Sequence, residues 1–171
     1  MNEHPGFDAF VLAHGAELVG VARRLTMDHH RGEDIVQDVL ARIALSWDRL
    51  QHVEDMRAYV LKAVLRDFLS WRRRLSSSER PTELTPDDGP VGPGADDGLA
   101  ARDEARRALA RLKPVQRAVL VLRYHHDRPD TEIAELLGCR ESTVRSHARR
   151  ALAELRAAGG IADRLTEGTP R

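Results

Sequence analysis

The sequence has one cysteine, few aromatic residues and no long apolar run, and each scarcity excludes a class of protein. Cys139 alone cannot form an internal disulfide, which fits a chain kept in a reducing compartment. Aromatic residues make up 4% of the chain, too few for a typical β-sandwich. No apolar stretch approaches the roughly 20 residues that a membrane-spanning helix needs, and the N-terminus lacks the pattern of a secretory signal. These absences indicate a cytoplasmic, helical protein without a membrane segment.

The chain also lacks the motifs of common enzyme and metal sites. It contains no HExxH, CxxC, glycine-rich phosphate loop or nucleophile elbow. Its eight histidines include two adjacent pairs, and neighbours on a helix point about 100° apart, so they seldom bind one metal ion together. We therefore expect no catalytic residue, no metal site and no cofactor, and we expect Cys139 to be a small buried residue.

The formal net charge is zero, yet the charges are segregated along the chain. Counting Lys and Arg against Asp and Glu, residues 1–61 carry a net −4 and residues 62–75 a net +4. Residues 76–98 then carry a net −5 and residues 99–158 a net +5. Local patches rather than net charge decide where phosphate binds, so the two basic blocks are candidate nucleic-acid surfaces.

Apolar residues recur every three or four positions on both sides of one polar segment, as they do in amphipathic helices. The first stretch predicts three helices with a break at Met27–Gly32, and Trp47, Phe10 and Tyr59 are expected in its core. Residues 76–98 hold four prolines, four glycines and six acids, and such a segment cannot bury enough apolar surface to offset its ordering entropy. The sequence thus predicts an all-α chain of two small domains, residues 1–75 and 99–158, joined by a disordered acidic linker and followed by a flexible tail, 159–171.

The second domain is expected to contain four helices, of which the last two form a helix-turn-helix in TEIAELLGCRESTVRSHARR (131–150). Ile133, Ala134 and Leu137 are predicted to point inward, Gly138 to allow a tight turn, and Val144 to return the second helix to the core. The polar side chains that this helix is expected to expose are Glu141, Ser142, Arg145, Ser146, Arg149 and Arg150. The same pattern is typical of repressors, of response-regulator output domains and of plain helical hairpins with a basic face.

Two parts of the chain, in the same order as in the family, resemble the two domains of extracytoplasmic-function (ECF) sigma factors, in particular a short actinobacterial-type group. LARLKPVQRAVLVLRYHHDRPDTEIAELLGCRESTVRSHARRALAELR (109–156) resembles their domain four, and GEDIVQDVLARI (32–43) with AYVLKAVLRDFLSWRRR (58–74) resembles their domain two. The resemblance implies a sigma factor that binds core RNA polymerase and promoter DNA and catalyses nothing. An anti-sigma protein is a further partner common in this class.

The resemblance implies a polymerase-docking role for Asp34, Gln37 and Asp38, on the clamp helices of the largest subunit. Their spacing places the three side chains on one face, opposite Ile35 and Val39. Two carboxylates and an amide suit a basic partner surface, and an ordinary solvated helix face is the alternative interpretation.

The resemblance also implies two DNA contacts. The block from Tyr59 to Arg74 corresponds to the segment that engages the minus-ten promoter element, and the loop Asp48–Asp55, with Gln51 and His52, to the place where a flipped base is held. The residues expected to contact the minus-ten element are Lys62, Arg66, Trp71, Arg72, Arg73 and Arg74. Those expected at the minus-thirty-five element are Arg140, Ser142, Thr143, Arg145, Ser146, Arg149 and Arg150. For Trp71 the sequence leaves base stacking and a place in the core both open.

The chain departs from the family pattern at three positions. Arg66 stands where many relatives have asparagine, and Arg140 and Pro129 stand where capping hydroxyls are common. A lost cap weakens a helix start by about 1 kcal/mol, unless Asp130, Thr131 or Ser142 substitutes. The alternative function is a stand-alone helix-turn-helix regulator that does not act through polymerase, which would need a dimerisation or ligand domain in residues 1–75.

Overall fold

Helices and turns make up the part of the chain that its computed structural model describes, residues 5–77 and 106–158. The chain divides into an N-terminal unit, Met1–Leu84, and a C-terminal unit, Thr85–Arg171. The N-terminal unit contains α1 (Pro5–Thr26), α2 (His29–Ala44), a 3-10 turn (Trp47–Leu50) and α3 (Met56–Ser77). The C-terminal unit contains α4 (106–111), α5 (Pro114–Leu120), a π-helical turn (Val121–His125), α6 (Asp130–Leu137) and α7 (Glu141–Ala157).

The predicted architecture, all-helical with two helical domains, is confirmed. Helix α3 runs to Ser77, two residues past the expected end of the first domain at residue 75. The rest of the predicted linker (78–98), the expected start of the second domain (99–105) and the predicted tail (159–171) lie outside the described residues.

The N-terminal core forms where the apolar stripes of α1, α2 and α3 meet. Trp47 and Phe10 belong to this core as predicted, each 9% exposed, and the rings of Phe7 and Phe10 lie 5.4 and 5.9 Å from that of Trp47. The prediction for Tyr59 is wrong, because its side chain is 43% exposed. Helix α3 turns Val60 and its neighbours inward instead, and position 59 falls on the opposite face.

The corner between α1 and α2 is tighter than predicted. Only Met27 and Asp28 separate the helices, and the Asp28 carboxylate caps α2 by accepting a hydrogen bond from the Arg31 backbone N–H at 2.9 Å. The predicted break at Met27–Gly32 is therefore wrong beyond Asp28. Gly32 is buried within α2, where a Cβ atom would lie 2.7 Å from the backbone nitrogen of Arg23 in α1. This glycine marks a close helix crossing rather than a helix end.

Within residues 5–77, an ion pair joins each pair of helices. The three are Arg23–Glu33 between α1 and α2, Arg42–Asp67 between α2 and α3, and Glu17–Arg57 between α1 and α3. The hydrogen bond from Arg23 lowers the pKa of Glu33 below its usual value. Partly exposed pairs add little to stability, so we interpret these three as contacts that set how the helices are rotated against each other.

The core of the C-terminal unit contains a buried arginine. The Arg117 side chain is 0% exposed, and its Nε and Nη2 donate to the carbonyl oxygens of Leu109 (3.0 Å) and Ala110 (2.8 Å). These carbonyls lie at the end of α4, where a helix lacks internal partners and a cation is favourable. The neighbouring Gln116 donates from Nε2 to Glu154 of α7 at 3.0 Å. Two adjacent polar residues of α5 thus connect it to α4 and α7.

Helices α6 and α7 begin without a side-chain cap, as expected from the absence of a capping hydroxyl at positions 129 and 140. Pro129 and Arg140 occupy the N-cap positions, and neither makes a side-chain hydrogen bond to its helix. Asp130, a possible substitute, instead accepts a hydrogen bond from Nε of Arg123 at 3.0 Å. Packing of the two helices therefore has to compensate for their weak starts.

Candidate nucleic-acid and partner interfaces

The outer face of α2 carries the three side chains expected to bind polymerase. Asp34, Gln37 and Asp38 are all exposed. They lie opposite Ile35 and Val39, which are 4% and 1% exposed and pack into the core. The structure therefore brings the three expected residues together on one accessible surface of a well-anchored helix.

The same face continues to Leu45, a residue that the sequence analysis missed. Leu45 follows Asp34 by 11 residues, close to three helical turns, and its side chain is 84% exposed. Burying a leucine side chain is favourable by roughly 1.5–3 kcal/mol, so an exposed one beside a polar contact face is a candidate anchor for a protein partner. The spacing from Asp34 was the signal that could have found it.

One face of α3 combines basic side chains with an exposed tyrosine. Tyr59, Lys62, Arg66 and Arg73 are exposed and follow one another at intervals of three, four and seven residues, which puts them on a common face. Arg74, next to Arg73, is exposed as well. Because Tyr59 was predicted to lie in the core, it was not among the expected DNA contacts. Beside Lys62 it is a candidate for stacking on an unpaired base.

Trp71 lies near the end of α3, on the side that meets α2 rather than on this basic face. It is half-buried, and its ring centroid lies 6.3 Å from that of Phe68 in the core. The guanidinium carbons of Arg31 in α2 and of Arg72 lie 5.2 and 5.6 Å from the centre of the indole. Nη1 of Arg31 is also 3.8 Å from Oδ2 of Asp34. The structure thus surrounds Trp71 with protein groups from two helices.

The first three residues of the loop expected to hold a flipped base, Asp48–Asp55, belong to the 3-10 turn, and the rest of it leads to α3. Gln51 and His52 are both exposed, and Nε2 of Gln51 donates to the Trp47 carbonyl at 3.5 Å. At the other end of the loop, the Asp55 carboxylate accepts a hydrogen bond from the Ala58 N–H at 2.8 Å. The loop is therefore anchored at both ends, with its two candidate polar side chains accessible.

Helices α6 and α7 form the predicted helix-turn-helix. Gly138 ends α6 with φ 66° and ψ 39°, a left-handed conformation that favours glycine. Ile133 and Val144 are each 0% exposed and Ala134 is 7% exposed, so these residues form the seam between the helices. Leu137, also expected to point inward, is half-buried.

The outer face of α7 is basic. The expected DNA contacts that are exposed are Arg140, Ser142, Arg145, Arg149 and Arg150. Thr143 is half-buried. Ser146, which was expected to be exposed, is also half-buried, because both α5 and α6 pack against α7 and widen its buried stripe.

Two further groups on α7 set its local electrostatics. Oε2 of Glu141 accepts a hydrogen bond from Nη1 of Arg145 at 3.1 Å, so this arginine has an intramolecular partner one turn away. Burial lowers the pKa of His147, and the positive charges of Arg150 and Lys113 lower it further. His147 therefore contributes a neutral ring rather than a cation near pH 7.

Within residues 5–77 and 106–158, no three His, Cys, Asp or Glu side chains gather in a way that could hold a metal ion. Cys139 was expected to be buried and is half-buried instead. Its partial burial raises the pKa of the thiol, which disfavours the reactive thiolate. In the same ranges no helix has the length and apolar character needed to cross a bilayer.

Comparison with protein families and curated proteins gives matches over both units. Residues 10–78 match the model for sigma-70 region 2, and residues 102–155 match the model for sigma-70, region 4. RNA polymerase sigma-E factor from Streptomyces coelicolor is 34% identical over 161 residues, which cover 91% of this chain and 87% of that protein. The ECF RNA polymerase sigma factor SigJ from Mycobacterium tuberculosis is 36% identical over 146 residues, covering 78% of this chain and 45% of that protein. Where a stand-alone regulator would need a dimerisation or ligand domain, this chain matches region 2.

Solved structures share the fold at lower sequence identity. The sigma factor RpoE in its complex with the anti-sigma factor NepR, from Bartonella quintana, has a TM-score of 0.69 at 22% identity, over 90% of this chain and 96% of that one. CnrH in complex with the cytosolic domain of CnrY has a TM-score of 0.64 at 22% identity, over 91% and 88% of the two chains.

Proposed function

The chain belongs to the ECF class of sigma-70 factors, which direct transcription initiation with RNA polymerase and have no catalytic activity, and we propose that its two units divide this task. Residues 1–75 hold the polymerase and act on the minus-ten element. Residues 99–158 read the minus-thirty-five element, and residues 76–98 connect the two functions. Because its polymerase partner works on chromosomal DNA, the chain acts in the cytoplasm.

The docking role of the N-terminal unit is supported by the outer face of α2. Asp34, Gln37 and Asp38 offer charge and hydrogen bonds to a basic surface such as the clamp helices of the largest polymerase subunit. Leu45 adds an apolar contact whose burial would slow dissociation. The shared core holds α2 against α3 and the Arg42–Asp67 ion pair sets their rotation, so binding of α2 to polymerase also positions the proposed DNA-binding helix α3.

The minus-ten role is supported by the basic face of α3. Lys62 and Arg66 lie along it, and each phosphate that such a side chain neutralises steepens the salt dependence of binding. Arg72, Arg73 and Arg74 extend the charge to the end of the helix. Tyr59 supplies an aromatic ring for an unpaired base. The accessible Gln51 and His52 can form hydrogen bonds with a base that has left the duplex.

The minus-thirty-five role is supported by the outer face of α7. Arg149 and Arg150 are exposed and have no ion-pair partner among the described residues. An arginine can bond guanine O6 and N7 together in the major groove. Arg145 joins them once it leaves Glu141, and Arg140, Ser142, Thr143 and Ser146 lie at or near the start of the helix, where phosphate oxygens are favoured.

A regulatory partner is also part of the proposal. RpoE, which shares the fold, was solved with the anti-sigma factor NepR. We extend this kind of partner to the present chain, where it would compete with polymerase for the face from Asp34 to Leu45. A partner bound there blocks docking without having to touch α7.

The observation that carries the proposal is the placement of an acidic and apolar face on α2 and a basic face on α7, in two different units. The test mixes the full-length protein with sigma-free core polymerase and sequences the transcripts made from a genomic DNA library. We expect new transcripts that share a two-part upstream motif. Asp34→Arg with Asp38→Arg should abolish them by weakening core association. Arg149→Ala with Arg150→Ala should keep core association but lose selection of the upstream element.

Two control variants match these changes in charge. Asp8→Arg with Glu54→Arg alters the N-terminal unit equally at exposed positions outside α2, and Arg107→Ala with Arg111→Ala removes two exposed arginines from α4. Both should associate with core polymerase like the unmodified chain. The division of labour is refuted if the Arg149 and Arg150 variant loses core association, or if the Asp34 and Asp38 variant keeps it.

A further inference from the structure

Trp71 lies beneath arginine side chains from two different helices, and we propose that Arg31 and Arg72 form a paired binding site for the sugar–phosphate backbone of the promoter. This inference rests on the proposed contact of α3 with the minus-ten region. It adds Arg31, a residue of α2, to the DNA-binding surface. It also makes Trp71 a positioning residue for two guanidinium groups rather than a platform for a base.

The geometry around the indole supports this assignment. The guanidinium carbons of Arg31 and Arg72 lie 5.2 and 5.6 Å from the ring centre, within the distance of about 6 Å at which a cation is attracted to an aromatic face. Phe68, which is 0% exposed, packs 6.3 Å from Trp71 and ties the indole to the core. A fixed aromatic ring therefore holds two flexible cations in place, and their guanidinium groups occupy space that a stacked base would need.

The hydrogen-bonding state of the two arginines points to an anion. Their Nε atoms are buried and out of reach of an external phosphate, but the Arg31 side chain is 35% exposed and Arg72 is half-buried, which leaves the terminal Nη atoms as the donors that a phosphate can approach. Nη1 of Arg31 lies 3.8 Å from the carboxylate of Asp34, which is longer than a hydrogen bond, and Arg72 has no carboxylate partner among the described residues. Most of the guanidinium donors thus remain unused.

The positive charges of Arg31 and Arg72 also favour binding of an anion. Both guanidinium carbons lie within 5.6 Å of one ring centre, so no more than about 11 Å separates the two like charges, and their repulsion is least screened at low ionic strength. The phosphates of a nucleic-acid strand relieve this repulsion and use the free donors. Arginine suits this role because its planar group forms paired hydrogen bonds with phosphate oxygens.

The test measures how salt affects promoter binding by the assembled holoenzyme. Equilibrium binding of a fluorescent promoter fragment is recorded over a series of KCl concentrations for Arg31→Gln, Arg72→Gln and Trp71→Leu. Each arginine variant should reduce the steepness of log K against log[KCl] by about 0.7–0.9, the contribution of one phosphate, and should weaken binding severalfold at low salt. Arg31→Lys keeps the charge and should restore the slope.

The role of Trp71 is tested by combining variants. Trp71→Leu keeps an apolar side chain beside Phe68 but removes the aromatic face, so Arg31→Gln should weaken binding less in this background than alone. Trp71→Phe retains an aromatic face and should keep most of the affinity. This variant is the control for a loss of affinity that comes from misfolding of Trp71→Leu. Additive effects of Trp71→Leu and Arg31→Gln would overturn the positioning role.

Arg24→Gln and Arg73→Gln separate this inference from the proposed function. Arg24 is an exposed arginine on α1, and its replacement should leave the salt slope unchanged. If Arg73→Gln lowers the slope and Arg31→Gln does not, α3 binds DNA and the paired site is refuted. If neither variant changes the slope, the proposed contact of α3 with DNA fails as well.

Discussion

Gly32 of α2 lies directly against the backbone of Arg23 in α1. A Cβ atom at position 32 would be 2.7 Å from the backbone nitrogen of Arg23 and 2.8 Å from its Cα. Both atoms belong to a helix backbone and cannot swing aside as the end of a flexible side chain would. Replacing a glycine inside a helix by alanine usually increases stability, but at position 32 it should decrease stability.

Gly32→Ala should lower the free energy of unfolding by about 1–3 kcal/mol, the range for overpacking. The matched control is Gly15→Ala in α1, where a Cβ would meet only the Val11 side chain at 3.6 Å. This control should raise the free energy by up to about 1 kcal/mol through helix propensity. Urea unfolding of the full chain, followed by circular dichroism, measures both. Equal stability of the two variants would contradict the close crossing of α1 and α2.

Leu45→Gln should weaken association with core polymerase about tenfold or more, because burial of a leucine side chain is worth roughly 1.5–3 kcal/mol. Leu12→Gln is the matched control, since Leu12 is 87% exposed on α1 and Leu45 is 84% exposed at the end of α2. Fluorescence anisotropy with labelled protein and core polymerase gives both dissociation constants. If the two variants bind equally well, the docking face ends before Leu45.

Glu141→Gln should strengthen binding of the chain to duplex DNA and make it less selective. The change removes a negative charge from the first turn of α7 and frees Arg145, whose Nη1 lies 3.1 Å from the carboxylate. An exposed pair of this kind is worth about 0.2–1 kcal/mol, so we expect affinity for non-cognate DNA to rise about 1.5- to 5-fold. Competition binding with cognate and scrambled fragments measures the effect. Weaker binding to both fragments would show that Glu141 instead positions Arg145 for DNA.

Acid should destabilise the chain through His147. Burial, aided by the charges of Arg150 and Lys113, lowers the pKa of His147 below its unfolded value near 6.5. The unfolded state then takes up more protons as the pH falls, so stability is fully present above pH 6.5 and is lost as the pH falls through the lower folded pKa. His147→Gln should therefore lose less thermal stability between pH 7.5 and pH 5.5 than the unmodified chain. Equal losses would show that another group causes the acid sensitivity.

Much of the fold follows from local patterns. The helical period places the stripes of α1, α2 and α3, and Gly138 is found because a left-handed turn leaves few alternatives to glycine. Gly32 was misread because a glycine is both a common helix stop and a small residue at helix crossings, and only the partner helix distinguishes the two. Tyr59 was misplaced because its aromatic ring was counted with the apolar residues of α3, although the buried residues of that helix lie on the face opposite to it.

The sequence predicts which residues share one face of a helix, but it does not predict the contacts between side chains of different helices. Spacing alone brings Asp34, Gln37 and Asp38 together, since all three lie on one helix. The approach of Arg31 to Trp71 depends on how α2 packs against α3, and no local pattern encodes that distance. The hydrogen bond between Glu141 and Arg145 has the spacing of a common helical pair, so this contact, which was not among the expectations, could have been predicted from the sequence.

On helix α7, the residues that pack into the core are different from those proposed to contact DNA. Val144 and Ala148 are at most 1% exposed in the core, whereas Arg149 and Arg150 lie outside it. Substitutions at exposed positions of this kind usually change stability by no more than about 0.5 kcal/mol. Under the proposed DNA-binding role of α7, a duplicated copy of this gene can therefore acquire a new set of target genes through a few codon changes while its fold persists, and its regulon can diverge faster than the protein itself.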